Sequence, residues 1–237
     1  MTLVNGFRTR TGGILLCADR QEDDGYLKAE IDKIYEIPHL MTCEVFIAGA
    51  GPSELISKAK EHIHKSLLFA AQGTNDVLAE HQTIIEGSLR HIYEEYRDVF
   101  ESASMGLIIV VAPRAPGAHP LMYSTVEYRL DLRRTYCAQG TGRSISDYFS
   151  DRVYKETMNR NELSVLGAFI LGEAERKAVG VGMGFDMVFI NDGEQGRQYL
   201  GRDTIKKLQA DIPPLSAGVF AAWNQSPAIQ EWLKRTW

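Results

Sequence analysis

Cysteine is scarce: Cys17, Cys43 and Cys137 are the three in 237 residues. The count is odd, no C-x-x-C occurs, and each sits in an apolar, strand-like run. That excludes a disulfide framework and points to buried free thiols in a reducing compartment. Basic charge is not concentrated either. The formal net charge is −5, and Arg133-Arg134 and Lys206-Lys207 are isolated pairs, so no nucleic-acid surface is expected. No apolar run is long enough to span a bilayer. Asn5 and Arg8 break up any signal-peptide core. The expectation is a cytoplasmic protein with no membrane partner.

Familiar catalytic motifs are missing too. H-E-x-x-H and G-x-S-x-G do not occur, which argues against a zinc or Ser–His hydrolase. His62 and His64 stand two apart on an expected helix and face different ways, so no metal site is expected. Gly140-Thr141-Gly142-Arg143-Ser144 lacks the P-loop lysine and the dinucleotide fingerprint. No cofactor is expected.

What remains is ordinary globular composition, 44% hydrophobic and 24% charged. Strands are expected at Leu3–Arg10 and Gly13–Asp19, joined by a turn at Thr11-Gly12, then a charged loop at Gln21–Gly25. Ile31–Ile37 and Met41–Ala48 follow as a second hairpin. Apolar residues then recur at helical spacing over Glu54–Ala71 and Val77–Phe100. His81 falls on the apolar face and reads as core. Strands return at Gly106–Ala112, Leu121–Arg129 and Arg133–Ala138. Helices are expected near Ser144–Thr157 and Glu162–Ala178, and a strand at Phe185–Asn191. A helical extension over 203–237 closes the chain.

Grouped strands and paired helices are not βαβ units. The order predicts an α+β fold: a four-layer αββα sandwich with two antiparallel sheets between helical layers. With no linker, 1–237 reads as a single domain.

Three stretches could carry chemistry. In Ile31–Ile37, alternation places Lys33 on one face with Ile31, Tyr35 and Ile37, so an ammonium points where burial is expected. Asp19 ends Ile14–Ala18, a strand with no polar member, and is a plausible partner for Lys33. Ile47-Ala48-Gly49-Ala50-Gly51-Pro52-Ser53 runs from strand into helix, where unpaired N–H groups can face a ligand. Taken singly, they read first as a structural ion pair and a tight strand-to-helix turn. Thr2 adds a hydroxyl and, once Met1 is removed, a free amine.

Together, TLVNGFRTRTGGILLCADRQ, AEIDKIYEI, VFIAGAGPSEL, CAQGTGRSISDYF and GMGFDMVFIND resemble the 20S proteasome and HslV peptidases, N-terminal nucleophile hydrolases. The resemblance reaches from Thr2 to about Asp192. It implies the four-layer fold, and Thr2 as nucleophile cleaving peptide bonds after loss of Met1. Asp19 matches the acidic residue, Lys33 the catalytic lysine and Gly49 the oxyanion-hole glycine. Thr141 stands where a serine often supports the terminal amine, and Ile47 falls where the substrate side-chain pocket is lined. It further implies a homo-oligomeric ring acting on peptide or unfolded protein, with an ATPase partner left open. The rival readings are a non-catalytic ring or scaffold subunit and a small-molecule amidase. Thr2 to Asp19 is one residue longer than usual, which a bulge or longer turn near Thr11-Gly12-Gly13 would absorb.

Overall fold

Side chains alternate across a strand, so a strand apolar throughout must be covered on both faces. The second strand, β2 (Ile14–Asp19), is buried at every position. Leu15 and Cys17 pack into one apolar cluster, and Ile14, Leu16 and Ala18 into another. The computed structural model describes residues 2–23, 28–38, 40–73, 76–102, 104–115, 117–190, 197–201, 203–208 and 210.

The elements run β1 (Leu3–Arg8), β2, β3 (Gln21–Asp23), β4 (Lys28–Glu30), β5 (Ile34–Ile37), β6 (Cys43–Ala50), α1 (Ser53–Gln72), α2 (Val77–Glu95) and α3 (Arg97–Ser102). They continue with β7 (Gly106–Pro113), β8 (Leu121–Val126), β9 (Arg129–Arg133), β10 (Tyr136–Gly140), α4 (Arg143–Val153), α5 (Arg160–Lys177), β11 (Phe185–Ile190) and β12 (Gln198–Tyr199). One five-stranded sheet has the order β10-β1-β2-β11-β12. A second has the order β5-β6-β7-β8-β9, and β3-β4 form a short ribbon. The pairings are antiparallel, which gives a mixed α+β architecture.

Three apolar clusters hold these elements together. Val45, Ile47, Leu107 and Ile109 of the second sheet pack against Leu55, Ile63 and Leu67 of α1 and Ile85 and Leu89 of α2. Val4, Leu16 and Val188 of the first sheet meet Phe46, Ala48 and Ile108 of the second. Leu3, Phe7 and Leu15 pack against Leu163, Leu166 and Ile170 of α5. Each fully buried large side chain contributes about 1.5–3 kcal/mol relative to exposure. The cysteines are distributed one to each cluster, all buried and free. Burial pushes the Cys17 and Cys137 thiols up, as suits apolar fillers rather than nucleophiles.

Local chemistry explains the helix starts. Asp76 accepts from the N–H groups of Leu78 and Ala79 at the head of α2, and Asn159 and Glu162 form a capping box on α5. His81 is buried, and its Nε2 lies 2.9 Å from the Tyr123 hydroxyl.

Three expected elements differ. Gln21–Gly25 does not stay a loop: Gln21–Asp23 pairs with Lys28–Glu30. Leu121–Arg129 breaks at Glu127-Tyr128 into the β8–β9 hairpin, with Glu127 at φ 55. A two-residue turn there satisfies strands on both sides, which apolar patterning alone does not signal. The expected helix Val77–Phe100 ends at Glu95, and α3 begins at Arg97. Helix occupies 203–208. The rest of the expected extension, 211–237, lies outside the described residues.

Candidate active site

The β1–β2 ladder keeps one register from Val4↔Ala18 to Arg8↔Ile14. Thr9 N–H donates to the Gly13 carbonyl, and Gly12 closes the turn at φ 87. The ladder therefore carries no bulge, and the chain reverses over Thr9–Gly13. Continuing this register places Leu3 opposite Asp19, and Thr2 at the end of the strand beside it.

The Asp19 carboxylate is 1% exposed and collects donors from five residues. Oδ1 accepts from the Thr2 hydroxyl at 3.0 Å and from Leu3 N–H at 2.8 Å. Oδ2 accepts from the N–H groups of Gln21 at 3.1 Å and Gly182 at 3.3 Å. Lys33 Nζ lies 3.0 Å from both oxygens. The same ammonium group contacts Thr2 Oγ1 and the Gln21 carbonyl. Thr2 and Lys33 are both buried, at 3% and 9% exposure. Burial lowers the Lys33 pKa from the ordinary lysine range, while Asp19 and, more weakly, Glu22 pull it back up.

Tertiary structure therefore brings Thr2, Asp19 and Lys33 into mutual contact. The other sequence-derived positions divide. Thr141 lies at the β10–α4 junction, and its hydroxyl donates to the Thr2 carbonyl at 3.4 Å. Gly49 lines the cleft beside Thr2, yet its N–H donates to the Lys33 carbonyl at 3.4 Å, the long end of the range. Ile47 is not at the cleft. It is 0% exposed, on the α1–α2 side of β6, and Ile56 of α1 covers the neighbouring Gly49. The expected apolar substrate pocket around Ile47 is thus corrected to a sealed core position. Ile47→Ala is expected to cost about 2–5 kcal/mol of stability, read by urea unfolding.

The cleft has a volume of about 1040 Å³. Thr2 and Lys33 form part of its floor, and Gly49 at the end of β6, Ser53, Glu54 and Ser57 at the head of α1, Met105 and Thr141 are among its walls. Sequence reasoning missed two supports. Gly182, in the glycine-rich stretch before β11, supplies a main-chain donor to Asp19. The Gly-x-Gly-x-Gly pattern from Gly180 to Gly184, with φ of 80, 156 and 84, was the available signal. Gly140, at φ 104, is the second: a Cβ there stands 2.0 Å from the Thr2 carbonyl oxygen. Both the φ and the clash demand glycine. Gly140→Ala is expected to displace Thr2 from Lys33 and cut any Thr2-dependent reaction by at least about tenfold, measured as the rate of covalent labelling at Thr2.

With this geometry defined, the fold can be placed. Its solved neighbours include Anbu proteins. Anbu (ancestral beta-subunit) from Yersinia bercovieri superposes with a TM-score of 0.77 at 12% identity, over 95% of this chain and 98% of that one. Anbu from Hyphomicrobium sp. strain MC1 gives 0.72 at 16% identity, over 94% and 97%. The Anbu complex from Pseudomonas aeruginosa, solved as a helical assembly, gives 0.75 at 12% identity, over 95% and 97%. No family model matches the chain, and no curated protein matches it. These identities establish a shared fold. They also correct the family reading from sequence: the neighbours are Anbu proteins, proteasome-like but distinct from the 20S and HslV peptidases. The misassignment has a physical source. The quoted stretches are the strands and turns around Thr2, Asp19 and Lys33, and their pattern reports burial and pairing rather than family. Among the described residues, no helix is long and apolar enough to cross a membrane.

Proposed function

We propose that this chain is a proteasome-like subunit of the Anbu type and an amide hydrolase whose nucleophile is Thr2. The observation that carries the reading is the convergence of Lys33 Nζ and Asp19 Oδ1 on Thr2 Oγ1 at the floor of an open cleft. A buried lysine held by one carboxylate needs no hydroxyl between them for stability alone. The hydroxyl there gains an adjacent base.

In this reading Met1 is removed and Thr2 Oγ1 attacks a substrate carbonyl. Its proton passes to Lys33 Nζ, which burial keeps nearer to the neutral form than free lysine. Asp19 orients both groups and stabilises the ammonium that forms. The Gly49 N–H leaves its long bond to the Lys33 carbonyl for the developing oxyanion. The Lys33 proton then goes to the departing amine, and water cleaves the Thr2 ester. The cleft is at the upper end of small-ligand volumes and is lined by Gly49 and Ala50 of β6 and Gln139 and Gly140 of β10, strand ends that favour an extended peptide or unfolded segment as substrate. The four-layer αββα arrangement, ring or helical assembly with further copies and a cytoplasmic setting belong to the same proposal.

The test is intact-mass spectrometry after reaction with a β-lactone. Loss of Met1 and a single adduct on Thr2 are expected. A protein that retains Met1 and takes no adduct overturns the catalytic reading. It would favour the second one, a non-catalytic subunit, for which the neighbour solved as a helical assembly speaks.

A further inference from the structure

His62 and His91 come from different helices, α1 and α2, yet their rings lie 4.9 Å apart, tilted by 37°. His91 Nε2 is 3.6 Å from Glu95 Oε2, one helical turn along α2. One ligand-type atom from each of the three side chains falls within 4.8 Å of the other two. The group sits on the two helices that cover the second sheet. Its residues take no part in the Thr2 site.

Two imidazoles and a carboxylate are the donor set of borderline metals such as zinc, nickel and copper, rather than of magnesium or calcium. Tetrahedral zinc with bonds of about 2.0–2.1 Å sets its ligand atoms about 3.3 Å apart. The present spacing, up to 4.8 Å, is wider by at most about 1.5 Å. His91 and Glu95 are exposed and His62 half-buried, so small rotamer changes close the gap without moving either backbone. Solvent access leaves the fourth position to water.

We propose that His62, His91 and Glu95 bind a divalent transition metal of the zinc class, one per chain, and that the ion clamps α1 to α2. Three protein ligands tie residues 29 positions apart in sequence, His62 and His91, so binding stabilises the helical pair as well as filling the site. The assignment is independent of any reaction at Thr2.

The test titrates Zn²⁺ into the chelator-treated full chain in competition with a chromophoric chelator, alongside thermal unfolding. One equivalent is expected to bind with micromolar affinity, and the unfolding midpoint is expected to rise with free Zn²⁺. Mg²⁺ is expected to do neither. His62→Ala with His91→Ala should abolish both effects, and Glu95→Gln should weaken binding by about tenfold. Circular dichroism of each variant verifies that the helices persist; the exposed positions make this the expected result, and a variant that unfolds is replaced by His91→Gln alone. Failure of the parent chain to bind Zn²⁺, or equal binding by the folded double variant, overturns the site.

Discussion

Thr2→Ala is expected to remove covalent labelling by a β-lactone and to lower amide hydrolysis by at least ~10³-fold, the scale on which loss of a nucleophile acts. Thr2→Ser should keep a measurable fraction of both. The pairing matters because Thr2 is buried and its hydroxyl bridges Lys33 and Asp19. If the hydroxyl were merely structural, alanine and serine would differ in stability and not in labelling. Hydrolysis that survives in Thr2→Ala at the parent rate places the reaction elsewhere and ends the Thr2 assignment.

The second large effect concerns Asp19. Its carboxylate accepts from Thr2, Leu3, Gln21 and Gly182 and pairs with Lys33. Asp19→Ala leaves a buried ammonium and several main-chain donors without their acceptor. A loss of about 3–5 kcal/mol is expected, since breaking one side of a buried pair costs more than the pair itself contributes. Urea unfolding reads it directly. Lys33→Met strands the Asp19 carboxylate instead, but that anion keeps the donors of Thr2, Leu3, Gln21 and Gly182, so a smaller loss is expected.

The same pair fixes a pH dependence. Burial sets the Lys33 pKa below the free-lysine value of about 10.4. Between the two values the unfolded chain binds the proton and the folded chain does not, so stability rises with pH through that window. Below the folded value, the cost of the buried charge is fully present. If Lys33 accepts the Thr2 proton, hydrolysis also rises with pH on a limb below the free-lysine value. Asp19→Asn removes the charge that raises the Lys33 pKa, so the limb should move to lower pH. A limb that stays in place would assign the proton to the Thr2 α-amine.

Much of the fold was legible because burial leaves a periodic trace. Ile14–Ala18 lacks polar residues because β2 is covered on both faces. Leu55, Ala59, Ile63 and Leu67 repeat at helical spacing because α1 covers a sheet. The site was legible in part. Asp19 and Lys33 stood out as charges in apolar patterns, and such charges need partners. Ile47 misled because its position relative to Gly49 fixes only which side of β6 it takes. What lies on that side depends on Ile56, which α1 brings back from later in the chain. The β8–β9 turn at Glu127-Tyr128 was illegible because no glycine or asparagine marks it.

By itself, the sequence determined most of the element types, the buried faces of β2 and α1, and the few polar groups that burial must reconcile. Periodicity and charge are local properties, and local properties survive in one dimension. Only the tertiary structure decided that Asp19 gathers Leu3, Gln21, Lys33 and Gly182 around Thr2. It also decided that Gly140 presses on the Thr2 carbonyl, that Ile47 is sealed, and that His62 meets His91 across two helices. Those meetings depend on strand register and on helix packing across long separations. No spacing within a single stretch encodes them.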